Sequence, residues 1–318
     1  MDAHLVWNTW RRVLTSDHLV EWIMSPDPGV GEASDLTGDE VAVLIDYAAT
    51  PMATDTNIGM YRRGLARNAL GALDLVPLTR RLLRASGLDI EAVATEFARF
   101  SGYVDNGPNF WRTAEGFVAY LTSLPEFASR PQQDVLAIDA ATIALARRLG
   151  YSGTTVWPDS AAAIYLAAGP RAHRESGRLI ANPAAIVVST NCDLTTWIEN
   201  PFDFDSGETL ESSPRYWLIY FPTAEAAQEY AELSERSARA FNLLWASKTA
   251  ADLSRALDDL SRADVLTVIA SLAELGVVIS EPHLLRTTQA VSSLQGNLDR
   301  PAESLPVPSG LFSGETTR

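Results

Sequence analysis

The sequence is poor in the residues that metal and covalent chemistry use. Its 318 residues hold one cysteine, Cys192, one lysine, Lys248, and four histidines. A single thiol excludes a disulfide framework and any all-thiolate metal site. A single lysine leaves only Lys248 able to form a Schiff base. Positive charge is scarce as well: 25 basic against 40 acidic side chains give a net charge of −15. Affinity for nucleic acid comes mainly from Lys and Arg neutralising phosphates, so this balance argues against a generic nucleic-acid binder. No run approaches the ~18 consecutive apolar residues of a membrane span. The N-terminal stretch MDAHLVWNTWRRVLTSDHLVEW lacks the apolar run and small-residue cleavage site of a secretory signal. With a free Cys192, the expectation is a soluble cytoplasmic protein. Apolar residues are not scarce: at 47% they suffice to bury a core across two or three domains.

The pattern of those apolar residues changes once. Residues 1–24 read as a helix, with Val6, Trp7, Trp10, Val13 and Leu14 on one face. Ser25–Asp39 and Pro51–Gly59 are loops by their Pro, Gly and polar content, around a short helix at Asp39–Ala48. From Tyr61 the helical period is strong through Leu65, Ala69, Leu73 and Val76, and Pro77 then starts a new helix or a kink. Gly87 is the expected C-terminal cap for it. Further helices are expected at Asp89–Phe100, Thr113–Leu124 and Pro131–Leu149, with Ile90, Val93, Phe97 and Phe100 facing inward and Gly150 closing the last. Beyond Gly150 come a short helix at Ala161–Ala168 and two β-branched or aromatic runs, Ala184–Ser189 and Tyr216–Phe221. Three short amphipathic helices follow, Ser234–Ala246, Thr249–Leu260 and Asp264–Leu275, and then a closing strand at Val277–Ile279. The expected fold class is α+β. A helical domain at 1–150 precedes a small winged-helix-like α/β domain at 151–290, and 297–318 is a Pro- and Ser-rich disordered tail.

The motifs of self-contained catalysis are missing. There is no GxSxG, GxxxxGK[ST], HExxH or GxGxxG; GVGE at Gly29–Glu32 has the wrong spacing. His18 and Glu21 lie one helical turn apart but read as two groups on a solvent face rather than metal ligands. His173 sits in an Arg-rich loop, PRAHRESGR. Cys192 is followed by Asp193, which disfavours the thiolate, so it reads as a structural cysteine at a strand end. Pairs such as Asp203/Asp205 and Asp258/Asp259 are expected by chance in so acidic a chain. No cofactor and no metal are expected, and the absence of a site points to a binding role.

Two charge features bear on partners. Arg62, Arg63, Arg67, Arg80, Arg81 and Arg84 cluster in a span whose only acid is Asp74. They read either as a solvated face or as a docking surface for an acidic partner. The winged-helix-like unit invites a DNA-binding reading, in which the last helix enters the major groove. That helix, ADVLTVIASLAEL, has no Lys or Arg. The unit Ala224–Ser280 carries five basic and nine acidic residues, a charge of −4. A winged helix that avoids DNA commonly takes up a peptide by β-strand addition.

The stretch IGMYRRGLARNALGALDLVPLTRRLL resembles the signature of a bacterial helical family often labelled DNA-binding, through Ile58, Tyr61, Arg62, Leu70, Leu73, Pro77, Leu82, Leu83 and Gly87. Phe97, Phe117, Leu121 and Ile138-Asp139 fall where that family has corresponding residues, with Asp139 in place of Glu and Gly64 in place of Asn. The family resembles the partner subunits of multinuclear non-haem iron oxygenases that modify ribosomally made peptides, as in methanobactin and thiaglutamate biosynthesis. The stretch from YWLIYF to ELGVVIS is similar to the unit that holds the precursor's leader in those complexes. The resemblance implies a non-catalytic protein in a heterodimer with an iron oxygenase subunit, the iron ligands lying in the oxygenase. The expected leader site is Tyr216, Leu218 and Tyr220 of the aromatic strand, with Ala238, Phe241 and Leu244 of the following helix. Docking falls to the six arginines. Neither nucleic acid nor membrane is an expected partner. The other readings are a winged-helix transcriptional regulator and an enzyme with an unrecognised site, such as one using Cys192.

Overall fold

The computed structural model describes residues 2–24, 35–49, 57–106, 110–152, 156–168, 177–199, 210 and 212–280. The expected tail at 297–318, His173, the Asp203/Asp205 pair and most of the acidic loop at 200–214 lie outside the described residues.

The chain begins with two helices rather than one, α1 (Ala3–Thr15) and α2 (Asp17–Ile23). Ser16 breaks them: its side chain leaves the first helix and accepts from the N–H of Leu19, capping the second. Then come α3 (Gly38–Ala48), opened by a Thr37/Glu40 capping box, and α4 (Gly59–Ala72). A 3-10 turn at Leu73–Leu75 leads into α5 (Pro77–Ala85), where Pro77 sits in the first turn and so sacrifices no helical hydrogen bond. Next are α6 (Ile90–Phe100), capped by Asp89, α7 (Phe110–Thr122) and the long α8 (Arg130–Ser152). Helix α8 runs through Gly150 instead of ending there. Phe100 points outward at 70% exposure, so the apolar stripe of α6 ends at Phe97, which packs 4.9 Å from Phe117 between ring centroids.

The rest of the chain is mixed. Helix α9 (Pro158–Ala168) precedes β1 (Leu179–Ala181) and β2 (Ala185–Thr190), then α10 (Thr195–Glu199). Strands β3 (Arg215–Tyr220) and β4 (Glu229–Leu233) follow. The chain then forms α11 (Glu235–Leu243), α12 (Ala250–Ala256), α13 (Arg262–Glu274) and β5 (Val278–Ser280). Each of the last three helices has an N-cap hydroxyl, from Ser234, Thr249 and Ser261. Gly276, at φ +67°, ends α13 in the left-handed region with N–H bonds back to the helix.

Two antiparallel sheets result. The larger has the order β2–β3–β4, and the smaller pairs β1 with β5. Successive side chains on a strand point to opposite faces. Ala185, Val187, Leu218, Tyr220, Ala231 and Leu233 therefore share one face, which packs on α11, α12 and α13. Ile186, Val188, Trp217, Ile219 and Tyr230 share the other, which belongs to the same core as α5, α7 and α8. One core thus runs from the helical region into the sheet across residue 150. Asn182 fixes the junction of the two sheets. Its side-chain amide donates to the carbonyls of Val156 and Gly276 at 2.8 Å each, and its oxygen accepts from the N–H of Ala184 at 2.9 Å. No helix among the described residues is long and apolar enough to cross a membrane.

Candidate functional site

The aromatic strand expected to receive a peptide has no free edge. Strand β3 is central, paired with β2 through Ala185↔Tyr220 to Thr190↔Arg215 and with β4 through Tyr216↔Leu233 to Tyr220↔Glu229. Tyr216, Leu218 and Tyr220 therefore stand inside a finished sheet. Ala238, Phe241 and Leu244 are buried beneath it, Phe241 and Leu244 at 0% exposure, and line no open groove. The expected site is the core that supports a site, not its surface. The reason is one strand that the sequence pattern did not reveal, β4, which closes the edge of β3 that β2 leaves open.

The alternation of the antiparallel ladder says which backbone groups remain open. Ala185 turns its N–H and carbonyl away from β3: the N–H donates to the Asn182 carbonyl, and the carbonyl accepts from the Arg148 guanidinium at 3.0 Å. Ala185↔Tyr220 is then a non-hydrogen-bonded pair. Tyr220, Leu218 and Tyr216 consequently spend their backbone groups on Glu229, Ala231 and Leu233 of β4. By the same alternation Tyr230 and Glu232 present their N–H and C=O groups outward. Among the described residues no strand pairs with that outer side. Strand β2 is the other edge strand, and its outer side is taken at Ala185 by Arg148 and Asn182; the outer side of β4 has no such contact at Tyr230 or Glu232 among the described residues.

The surroundings of β4 are acidic outside and polar inside. Glu229 and Glu232 are exposed. The Tyr220 hydroxyl donates to Glu229 at 2.7 Å, and Arg215 lies 3.5 Å from Glu232. Tyr230 reaches inward towards α8, where burial first and the nearby Asp139 second push its phenol up. Asp139 itself is fully buried. It accepts from the N–H of Thr79 in the first turn of α5, doing the capping that Val76 cannot. Among the described residues its other oxygen and the neighbouring Thr79 hydroxyl make no hydrogen bond of good geometry. Burial pushes this carboxyl up to about 7, against the lowering effect of the Thr79 N–H and hydroxyl and of Arg81.

The six arginines do not form one surface. Arg62 is held inside the fold: it pairs with Asp17 at 2.7 Å, donates to the carbonyls of Leu14 and Val13, and lies over the Tyr103 ring. Arg81 donates to the Trp197 carbonyl at 3.2 Å, tying α5 to α10. Arg80 pairs with Asp74. Arg63, Arg67 and Arg84 are exposed. Arg62 and Arg81 are thus committed to internal contacts.

Cys192 is buried just beyond β2. Its thiol is pushed up by burial and then by Asp134, whose carboxylate accepts from the backbone N–H groups of Asn191 and Cys192. Asp193, expected to be the carboxylate acting on the thiol, is engaged elsewhere. The Thr195 hydroxyl and backbone, and then Arg215, hold it down to about 2. No group of three or more His, Cys, Asp or Glu side chains of metal-binding geometry occurs among the described residues. No protein-family model matches the chain, and no curated protein matches it.

Proposed function

We propose that this protein is a peptide-holding partner subunit, in which an extended peptide adds as a fourth strand beside β4. The observation that carries the reading is the open outer edge of β4, with the backbone groups of Tyr230 and Glu232 facing out of a sheet whose two faces are both packed. A rigid sheet is a ready template for strand addition, with main-chain hydrogen bonds supplying affinity and side chains on alternate residues supplying selectivity. The helices α11–α13 and the strand β5 behind this sheet form the winged-helix-like unit of the proposal. The resemblance in the sequence narrows the peptide to a ribosomal precursor and the second partner to a multinuclear non-haem iron oxygenase in the cytoplasm. Chemistry then belongs to the oxygenase, and this chain contributes capture and presentation.

The observed α13 starts one residue earlier than the expected Arg-free stretch and so includes Arg262, but its exposed face still carries two acidic residues, Asp264 and Glu274, against that one arginine, which disfavours the regulator reading. Docking to the oxygenase is assigned to Arg63, Arg67 and Arg84, the members of the arginine set left exposed. The test is reconstitution with an oxygenase and a precursor peptide encoded beside this chain. Modification should require the chain and should be lost in Glu232→Pro. That change removes an outward N–H while leaving the β3–β4 bonds in place. Modification proceeding at the same rate without the chain would refute the role.

A further inference from the structure

A pocket of about 360 Å³ lies in the helical region between α4, α6 and α7 and the segment after α6, away from the sheet. That is within the range of small-molecule sites, roughly 300–1,000 Å³. Leu65 of α4 and Phe97 of α6 line it. Gly116 and Ala119 of α7 keep it open, because neither carries a side chain long enough to fill it. A Cβ on Gly116 would already stand 3.4 Å from the Phe97 ring. Phe100 and Val104, 70% and 44% exposed, form an apolar lip, and the Phe100 ring leans on Tyr120 at 5.1 Å.

One charged side chain lines this pocket, Arg112. It is exposed, and among the described residues it makes no ion pair; its guanidinium lies 5.2 Å from the centre of the Trp111 ring. Arg112 also lines an adjoining cavity of about 320 Å³, together with Arg11 and Asp105. On a chain of net charge −15, two arginines against one carboxylate leave a local excess of positive charge beside an apolar chamber, and Arg112 is the one charged group that lines the chamber itself, a local preference for an anion. A guanidinium matches a carboxylate with two parallel hydrogen bonds. An amphiphilic cation would meet repulsion there, and a neutral amphiphile would forgo the charge-assisted bond.

We propose that this pocket binds a small amphiphilic monocarboxylate, its alkyl or aryl body against Phe97, Phe100 and Leu65 and its carboxylate on Arg112. The site is independent of the peptide edge on β4. Calorimetry of the full chain with decanoate, decan-1-ol and decylamine tests it. Decanoate should bind saturably at one site and decylamine should not. Arg112→Gln should weaken decanoate at least ten-fold and change decan-1-ol less than two-fold. Ala119→Trp, an exposed position on α7, should abolish both by filling the chamber, with circular dichroism confirming the helices. No binding of decanoate, equal binding of decylamine, or an Arg112→Gln variant of unchanged affinity would each overturn the proposal. So would decanoate binding that survives Ala119→Trp.

Discussion

Replacing Asp139 by Asn should stabilise the protein at alkaline pH, and by an amount that depends on pH. Two effects oppose each other at this carboxyl. Its place at the N-terminus of α5 favours the charged form, worth about 0.3–1 kcal/mol and at most ~2 kcal/mol when partly buried. Complete burial, with one oxygen making no hydrogen bond of good geometry among the described residues, favours the neutral form, and this effect wins, leaving the group at about 7 against an ordinary 3.8. The folded protein therefore holds a proton on Asp139 that the unfolded chain has released between pH 3.8 and about 7. Stability from this group is fully present below the unfolded value and falls as pH rises through that window. It is flat above the folded value. Between pH 5 and pH 8 the titration spans about two pKa units, roughly 3 kcal/mol at ~1.4 kcal/mol per unit. Asn keeps an oxygen for the Thr79 N–H, offers the Thr79 hydroxyl an N–H where the protonated carboxyl offers an O–H, and does not titrate. Urea denaturation of both proteins at pH 5, 6, 7 and 8 isolates the effect, since every other group cancels in the difference. The variant should gain roughly 3 kcal/mol on the parent from pH 5 to pH 8. A difference that stays constant with pH, or a variant relatively weaker at pH 8, would refute the argument that burial outweighs capping.

Substitutions at two further sites probe the packing of the mixed region. Leu244 is fully buried under β3, so Leu244→Ala should cost ~2–5 kcal/mol in chemical denaturation, and Leu244→Asp should fail to fold instead of yielding a folded, weak-binding variant. Gly276→Ala should cost more than ~2 kcal/mol. Its backbone sits at φ +67° and an added Cβ collides with the Pro158 carbonyl, so its melting temperature should drop while an Ala substitution at exposed Gly38 leaves it nearly unchanged.

Much of the helical half was legible because each helix announces itself twice, by period and by cap. Pro77, Asp89 and the Gly87 stop are where the apolar spacing places them. The strands β2 and β3 were legible as β-branched and aromatic runs, and so was the fact that both faces of β3 are covered. Strand β4, EYAEL, was not. It alternates weakly, holds two glutamates and an alanine, and takes its strand conformation from the ladder with β3. Strand β1 has three residues and is defined by pairing with β5, about a hundred positions away. Missing β4 placed the expected peptide site on the central strand of the sheet instead of at its edge. The arginine cluster misled for a related reason: composition reports which charges are near in sequence, and only packing reveals that Arg62 and Arg81 turn inward. The pocket beside Arg112 is carried by small residues, Gly116 and Ala119, whose lack of side chain has no signature in an apolar period.

Residue-resolved amide exchange across β4, with and without a precursor peptide whose binding calorimetry has established, tests the peptide-edge reading most directly. In the free chain Glu229, Ala231 and Leu233 should exchange slowly through their bonds to β3, and Tyr230 and Glu232 quickly. Peptide binding should slow Tyr230 and Glu232 at least ten-fold, about 1.4 kcal/mol or more of protection, and leave the alternate three little changed. A bound peptide that leaves the Tyr230 and Glu232 amides exchanging at their free rate would contradict strand addition at β4.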